Sequence, residues 1–184
     1  MKLNKMALAA MLACGSISLA NAAAGGEVNF TGSITDAPCS IDPGSKKQTV
    51  DLGAVSKPGL AANLNGPEVK FSIKLLNCIV GTGATAPNKV SVTFSGPQGG
   101  IPGGSLSNDL LGITGAAKGA SIKLVDYSNA PITLGQKTSP QALSNGNGNT
   151  LEFTAYLVPN PGVTPAQIVE GAFTSTANFI MNYE

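Results

Sequence analysis

The chain has 184 residues, with 11 Lys and no Arg, His or Trp against 10 Asp and Glu, for a net charge near +1. A nucleic-acid binder is expected to show a basic excess and Arg forks for phosphate and guanine, and imidazole-based hydrolases and metal sites need His, so these classes fall away. Gly (23) and Pro (12) together make about 19% of the chain, enough for many turns but below the roughly 25 to 30% that marks low complexity.

The first segment reads as an export address. Lys2 and Lys5 form a positive start, Met6 to Leu19 is largely apolar, and Ala20-Asn21-Ala22 supplies the small-x-small pattern that signal peptidase reads. The cut is placed between Ala22 and Ala23. The apolar run is interrupted by Gly15, Ser16 and Ser18 and is short of the about 20 residues that span a bilayer. Cys14 sits loosely like a lipoprotein acceptor, but the apolar stretch continues past it. Losing Lys2 and Lys5 leaves nine Lys against ten acids, a mature net charge near −1 on a chain of one-domain size.

Export also governs how the cysteines are read. Cys39 and Cys78 are the two thiols left, bound for an oxidising compartment, so a structural disulfide is expected; a redox pair would want Cys-x-x-Cys spacing. The closed loop of about 40 residues corresponds to roughly 4 kcal/mol in the chain-entropy model.

No later segment sustains a helical apolar period, whereas many short stretches alternate or run β-branched, so the mature chain is predicted to be all-β. Strands are expected at 27–35, 49–52, 69–77, 89–95, 120–126, 132–134, 151–158 and 172–183. Turn residues punctuate the gaps, at 58–59, 65–67, 81–87, 144–149 and 159–165. The Gly-rich stretch 96–104 lacks both the dinucleotide fingerprint and a phosphate-loop ending and is expected to be a surface loop. Asn29-Phe30-Thr31 matches a glycosylation sequon, a three-residue pattern that arises easily by chance. Strand spacing and turn density point to a sandwich. The ten acids, scattered from Glu27 to Glu184, form no local pair of the kind a carboxylate enzyme needs, so neither catalysis nor a cofactor is expected.

The two ends carry the most information. One face of the last strand would present Phe173, Ser175, Ala177, Phe179, Met181 and Tyr183, and the other mostly polar residues. Near the mature start, Gly26, Val28, Phe30, Gly32 and Ile34 alternate with polar residues in the same way. Pattern alone does not separate pairing within one molecule from pairing between molecules.

Gly171 is fourteenth from the end and Tyr183 penultimate, with alternating apolar residues between, and this resembles the C-terminal motif of pilins assembled by the chaperone/usher pathway. The resemblance extends through Val28-Asn29-Phe30-Thr31-Gly32, Ala37-Pro38-Cys39-Ser40-Ile41, Cys78, Ile122 to Leu124, Ile132 to Gly135 and Gly146 to Tyr156. It covers the mature chain, in the manner of the major rod subunits of type 1 and P pili. It implies an incomplete immunoglobulin-like sandwich that lacks its last strand and is completed in trans by a donor strand. By that resemblance, residues 1–22 are the signal peptide, 23–37 the donor-strand extension and 38–184 the pilin domain.

The implied partners are other copies of the chain, joined head to tail into an adhesive surface fibre, a periplasmic pilus chaperone, an outer-membrane usher, and tip or adaptor pilins. Gly26, Val28, Phe30, Gly32 and Ile34 would be the donor residues, with Gly26 where the groove is shallow. Gly171, Phe173, Ala177, Phe179, Met181 and Tyr183 would form the acceptor and chaperone-contact strand. Only Ala23, Ala24 and Gly25 precede Gly26, so the arm is short, with little apolar bulk at its tip. A minor or adaptor pilin shares the same length and motifs. A tip adhesin would need a further lectin domain, and a self-contained β-sandwich binding module would fold its first strand back in cis.

Overall fold

The computed structural model describes residues 26–81, 87–100 and 105–184. The chain divides after Thr35 into two units. Within the first, residues 26–35 hold no strand. The expected signal peptide, with its expected cleavage between Ala22 and Ala23, lies outside the described residues.

The unit Asp36–Glu184 is an antiparallel β-sandwich. Its elements begin with β1 (Ser40–Ile41), the short helices α1 (Pro43–Lys46) and α2 (Lys57–Ala61), β2 (Val69–Leu76), β3 (Lys89–Ser95), β4 (Gln98–Gly100), β5 (Leu106–Gly112) and β6 (Thr114–Gly115). They continue with β7 (Ala120–Asp126), β8 (Gln141–Ala142), β9 (Asn149–Pro159), a 3-10 turn (Pro165–Gln167), β10 (Phe173–Thr174) and β11 (Asn178–Tyr183). One sheet has the order β1-β2-β9-β7-β5-β4, a second has β11-β3-β8, and β10 pairs with β6.

Burial follows the period of two where a strand has one wet face. Along β9, Leu151, Phe153, Ala155 and Leu157 are buried and the residues between them are less so. The two sheets interlock through aromatic rings. Phe153 of β9 meets Phe94 of β3 edge-on at 5.1 Å between centroids, and Phe71 of β2 lies 5.4 Å from Phe153. Cys39 and Cys78 form the expected disulfide, with Cα atoms 4.1 Å apart.

The expected strands at 69–77, 89–95, 120–126 and 151–158 are present with nearly those bounds, as β2, β3, β7 and β9. Segments 49–52 and 132–134 form no strand. Ile132 and Leu134 instead spend their N–H groups on Leu124 and Asn108, one bond to each of two different neighbours, which is a crossing and not a ladder. The last strand is broken: β10 pairs with β6 and β11 with β3, and the Ser175 hydroxyl donates to the Gly112 carbonyl in the gap between them. Part of the Gly-rich stretch is strand β4 and not loop. A side chain at Gly99 would come within 2.5 Å of the Ser121 hydroxyl, so the missing Cβ is what lets β4 reach the sheet. The helices are only four and five residues long, too short to show a period, although Ser56 caps α2 by accepting from the Gly59 N–H at 3.4 Å.

Candidate functional site: an open groove beside the last strand

Among the described residues, strand β11 has a partner on one side only. It pairs with β3 in the register Phe179 to Phe94, Met181 to Val92 and Tyr183 to Val90, and lies at the edge of its sheet. The three β3 residues are 1 to 2% exposed, whereas Phe179, Met181 and Tyr183 remain half-buried although they face the same core. A sandwich with all its strands would have covered them.

The space beside that edge is a groove of ≈ 480 Å³. Its floor is core: Phe71, Ile73, Phe94, Leu111, Ile122 and Leu124. One lip is Ser175 to Phe179 and the other runs from Ser45 to Gln48 and on to Val50 and Leu52. A second cleft, ≈ 690 Å³, is bordered by residues 53–61 on one side and by Gly171 and Phe173 on the other, with Ile113, Leu157 and Ile168 between. The two clefts follow the same pair of chain segments, one read forwards from 45 to 61 and the other backwards from 179 to 171. Both clefts are walled largely by apolar side chains, and the first, the trough, opens beside Asn178 and Phe179 of the edge strand β11.

Of the residues expected on the acceptor strand, Ala177 and Phe179 line the first cleft and Gly171 and Phe173 the second. Met181 and Tyr183 pack on the core from β11 but line neither. Gly171 has a structural reason to be glycine: its φ is +146°, and a Cβ there would come 2.6 Å from the Cβ of Ala116. The residues expected to act as donors, Gly26, Val28, Phe30, Gly32 and Ile34, are exposed and belong to no strand.

The opposite lip, Ser45 to Leu52, was not legible as a site. Its only signal is the alternation of Val50 and Leu52, which reads as an ordinary strand. Glu184 is held through both its main chain and its side chain. Its main-chain carboxyl oxygen accepts the N–H groups of Asn88 and Lys89 at 2.8 and 2.9 Å. Its side chain accepts from Lys137 Nζ at 3.0 Å and Ser91 Oγ at 3.1 Å, and these bonds, that from Lys137 first, hold the carboxyl below its ordinary range. Burial pushes the Tyr183 phenol up.

An antiparallel sandwich with its core open along one edge, and a trough where a further strand belongs, is an incomplete immunoglobulin-like fold. Residues 28–184 match the family described as Fimbrial protein. The chain is 46% identical over 186 residues to the Fimbria A protein of Serratia marcescens and 37% identical over 187 residues to the major MR/P fimbria protein of Proteus mirabilis, with all of both chains covered in each case. Among solved structures it is similar to the P pilus rod subunit PapA, at a TM-score of 0.68 and 30% identity over 80% of this chain and 100% of that one. It is also similar to a subunit of a chaperone-usher pilus, at a TM-score of 0.73 and 30% identity over 88% and 96%. The chain belongs to the fimbrial protein family. It is a structural pilin subunit, assembled with other subunits into a surface fimbria.

Proposed function

We propose that this chain is the major shaft subunit of its fimbria and that its trough is filled by the amino-terminal arm of the next copy. One observation carries the reading. The same chain has an apolar trough along an unpaired strand edge and an arm whose alternating apolar residues, Val28, Phe30 and Ile34, are 72, 91 and 104% exposed. Strand addition to an open edge uses main-chain hydrogen bonds for affinity and alternate side chains for specificity, as in donor-strand complementation of pilins. Burying these three side chains at roughly 1.5 to 3 kcal/mol each supplies about 4 to 9 kcal/mol before any ladder bonds form.

The arm is covalently part of its own subunit, so repeated donation is head to tail and does not close, which makes a fibre. In this reading residues 1–22 are removed on export, a periplasmic chaperone fills the trough first, and the exchange happens at an outer-membrane usher, with tip or adaptor pilins ahead of the shaft. The role is structural, with no catalytic residue or cofactor. The names of the relatives, which include a major fimbria protein and a rod subunit, support the shaft assignment.

The test is deletion of residues 23–35 in cells that otherwise assemble fimbriae. The intact chain should yield surface fibres and a ladder of oligomers, and the deleted chain should yield no fibres and no ladder. Fibres from the deleted chain would sink the proposal.

A further inference from the structure

The sequence contains three Asn-Gly pairs, at Asn65, Asn145 and Asn147. Glycine has no Cβ to keep its own backbone nitrogen from the preceding side chain, so such pairs can close a ring on themselves. The Gly nitrogen attacks Asn Cγ, the Cγ–Nδ2 bond breaks, and ammonia leaves with the proton that the Gly nitrogen gives up. Water then opens the succinimide to Asp or to β-linked isoAsp, with no oxidant or reductant involved. The step needs that nitrogen free of a hydrogen bond.

Two of the three are engaged. Gly66 donates its N–H to the Leu157 carbonyl at 2.8 Å, and Gly146 donates to the Cys78 carbonyl at 2.9 Å. Gly148 donates to nothing among the described residues. Asn147 is exposed to water. Its Oδ1 accepts the Asn77 N–H at 2.6 Å, which draws electron density from the carbon under attack. Asn145 serves as an internal control, because it is also exposed and its Oδ1 also accepts a backbone N–H at 2.6 Å, from Val80. The two differ in the glycine that follows.

We propose that Asn147 is a site of spontaneous deamidation in the folded protein, and that the reaction ages the clamp beside the disulfide. The loop around Gly146 grips residues 77–80 through four bonds: Asn77 N–H to Asn147 Oδ1, the reciprocal pair between Cys78 and Gly146, and Val80 N–H to Asn145 Oδ1. Asn77 sits at φ 51°, a conformation disfavoured for a side chain and held here by its neighbours. An isoAsp at position 147 lengthens the main chain by one methylene and shifts the carbonyl that holds Asn77 from the side chain into the main chain.

The experiment is warm incubation of the intact protein isolated from expressing cells, followed by trypsin and fragment-ion mass spectrometry. The chain has no Arg, and its last Lys is Lys137, so one peptide carries both Asn145 and Asn147. Acid and isoAsp should accumulate at Asn147 several-fold ahead of Asn145 and Asn65, the three rates should converge in urea, and Gly148→Ala should slow Asn147 alone. Equal rates in the folded protein, conversion led by another site, no conversion at Asn147, or the same ranking in urea would each overturn the proposal.

Discussion

Asp126 sits at the end of β7 and is 3% exposed. Burial on its own would raise its pKa. The carboxylate outweighs that by accepting from Ser139, from the hydroxyl and N–H of Ser128 and from the N–H of Ala130, which hold it below the ordinary carboxylate range. A group depressed in the folded state contributes stability above its unfolded pKa, about 3.9, and that contribution is lost as pH falls through the lower folded value. Urea midpoints should therefore hold level around neutrality and drop below about pH 4. Asp126→Ala removes that acid-sensitive component, orphans several donors and should cost about 3 kcal/mol by urea denaturation at neutral pH. An unchanged midpoint for this variant would refute the account.

At the scale of single elements, the half-buried strand behaves differently from the buried ones. Phe153 in β9 is 2% exposed, and Phe153→Ala should cost about 3 to 5 kcal/mol in the lone subunit. Phe179 in β11 touches the same cluster through Phe94, at 6.3 Å between centroids, but its other side is open trough. Phe179→Ala should cost about 1 to 2 kcal/mol in the lone subunit, and more in assembled fibres, measured as the shift in denaturant midpoint of each. Equal costs in the two states would mean that nothing covers Phe179 on assembly. Strands β2, β3, β7 and β9 were readable because each carries its own period of two. The C-terminal segment showed the right face but not its break, since the change of partner from β6 to β3 depends on which strands lie alongside. Segment 49–52 has the pattern of a strand but no partner among the described residues to make it one.

At the scale of the whole molecule, the disulfide closes a long loop and the arm is proposed to complete a neighbouring copy. Cys39→Ser or Cys78→Ser frees a loop whose closure corresponds to roughly 4 kcal/mol, so periplasmic yield should fall severalfold by immunoblot, and wild-type levels would mean that the staple matters little. A synthetic peptide of residues 23–37 added to an arm-deleted subunit should raise its melting temperature, and the same peptide with Phe30→Asp should not. A bulky residue at Gly26 should block fibres while leaving chaperone binding intact, read by co-purification and negative-stain images. Normal fibres from that variant would displace the register assigned to the arm.

Composition and periodicity alone pointed to an all-β, exported chain with a disulfide and two alternating apolar ends, because charge, cleavage pattern and side-chain period are local properties of neighbouring residues. Tertiary structure decided that the core stays open beside β11, that Ser45 to Leu52 forms the opposite lip of the trough, and that Gly148, alone of the three Asn-Gly glycines, donates its N–H to nothing among the described residues. Those facts depend on which groups lie across space from one another. A strand's periodicity records what its side chains want to bury, and says nothing of whether a neighbour is there to bury them.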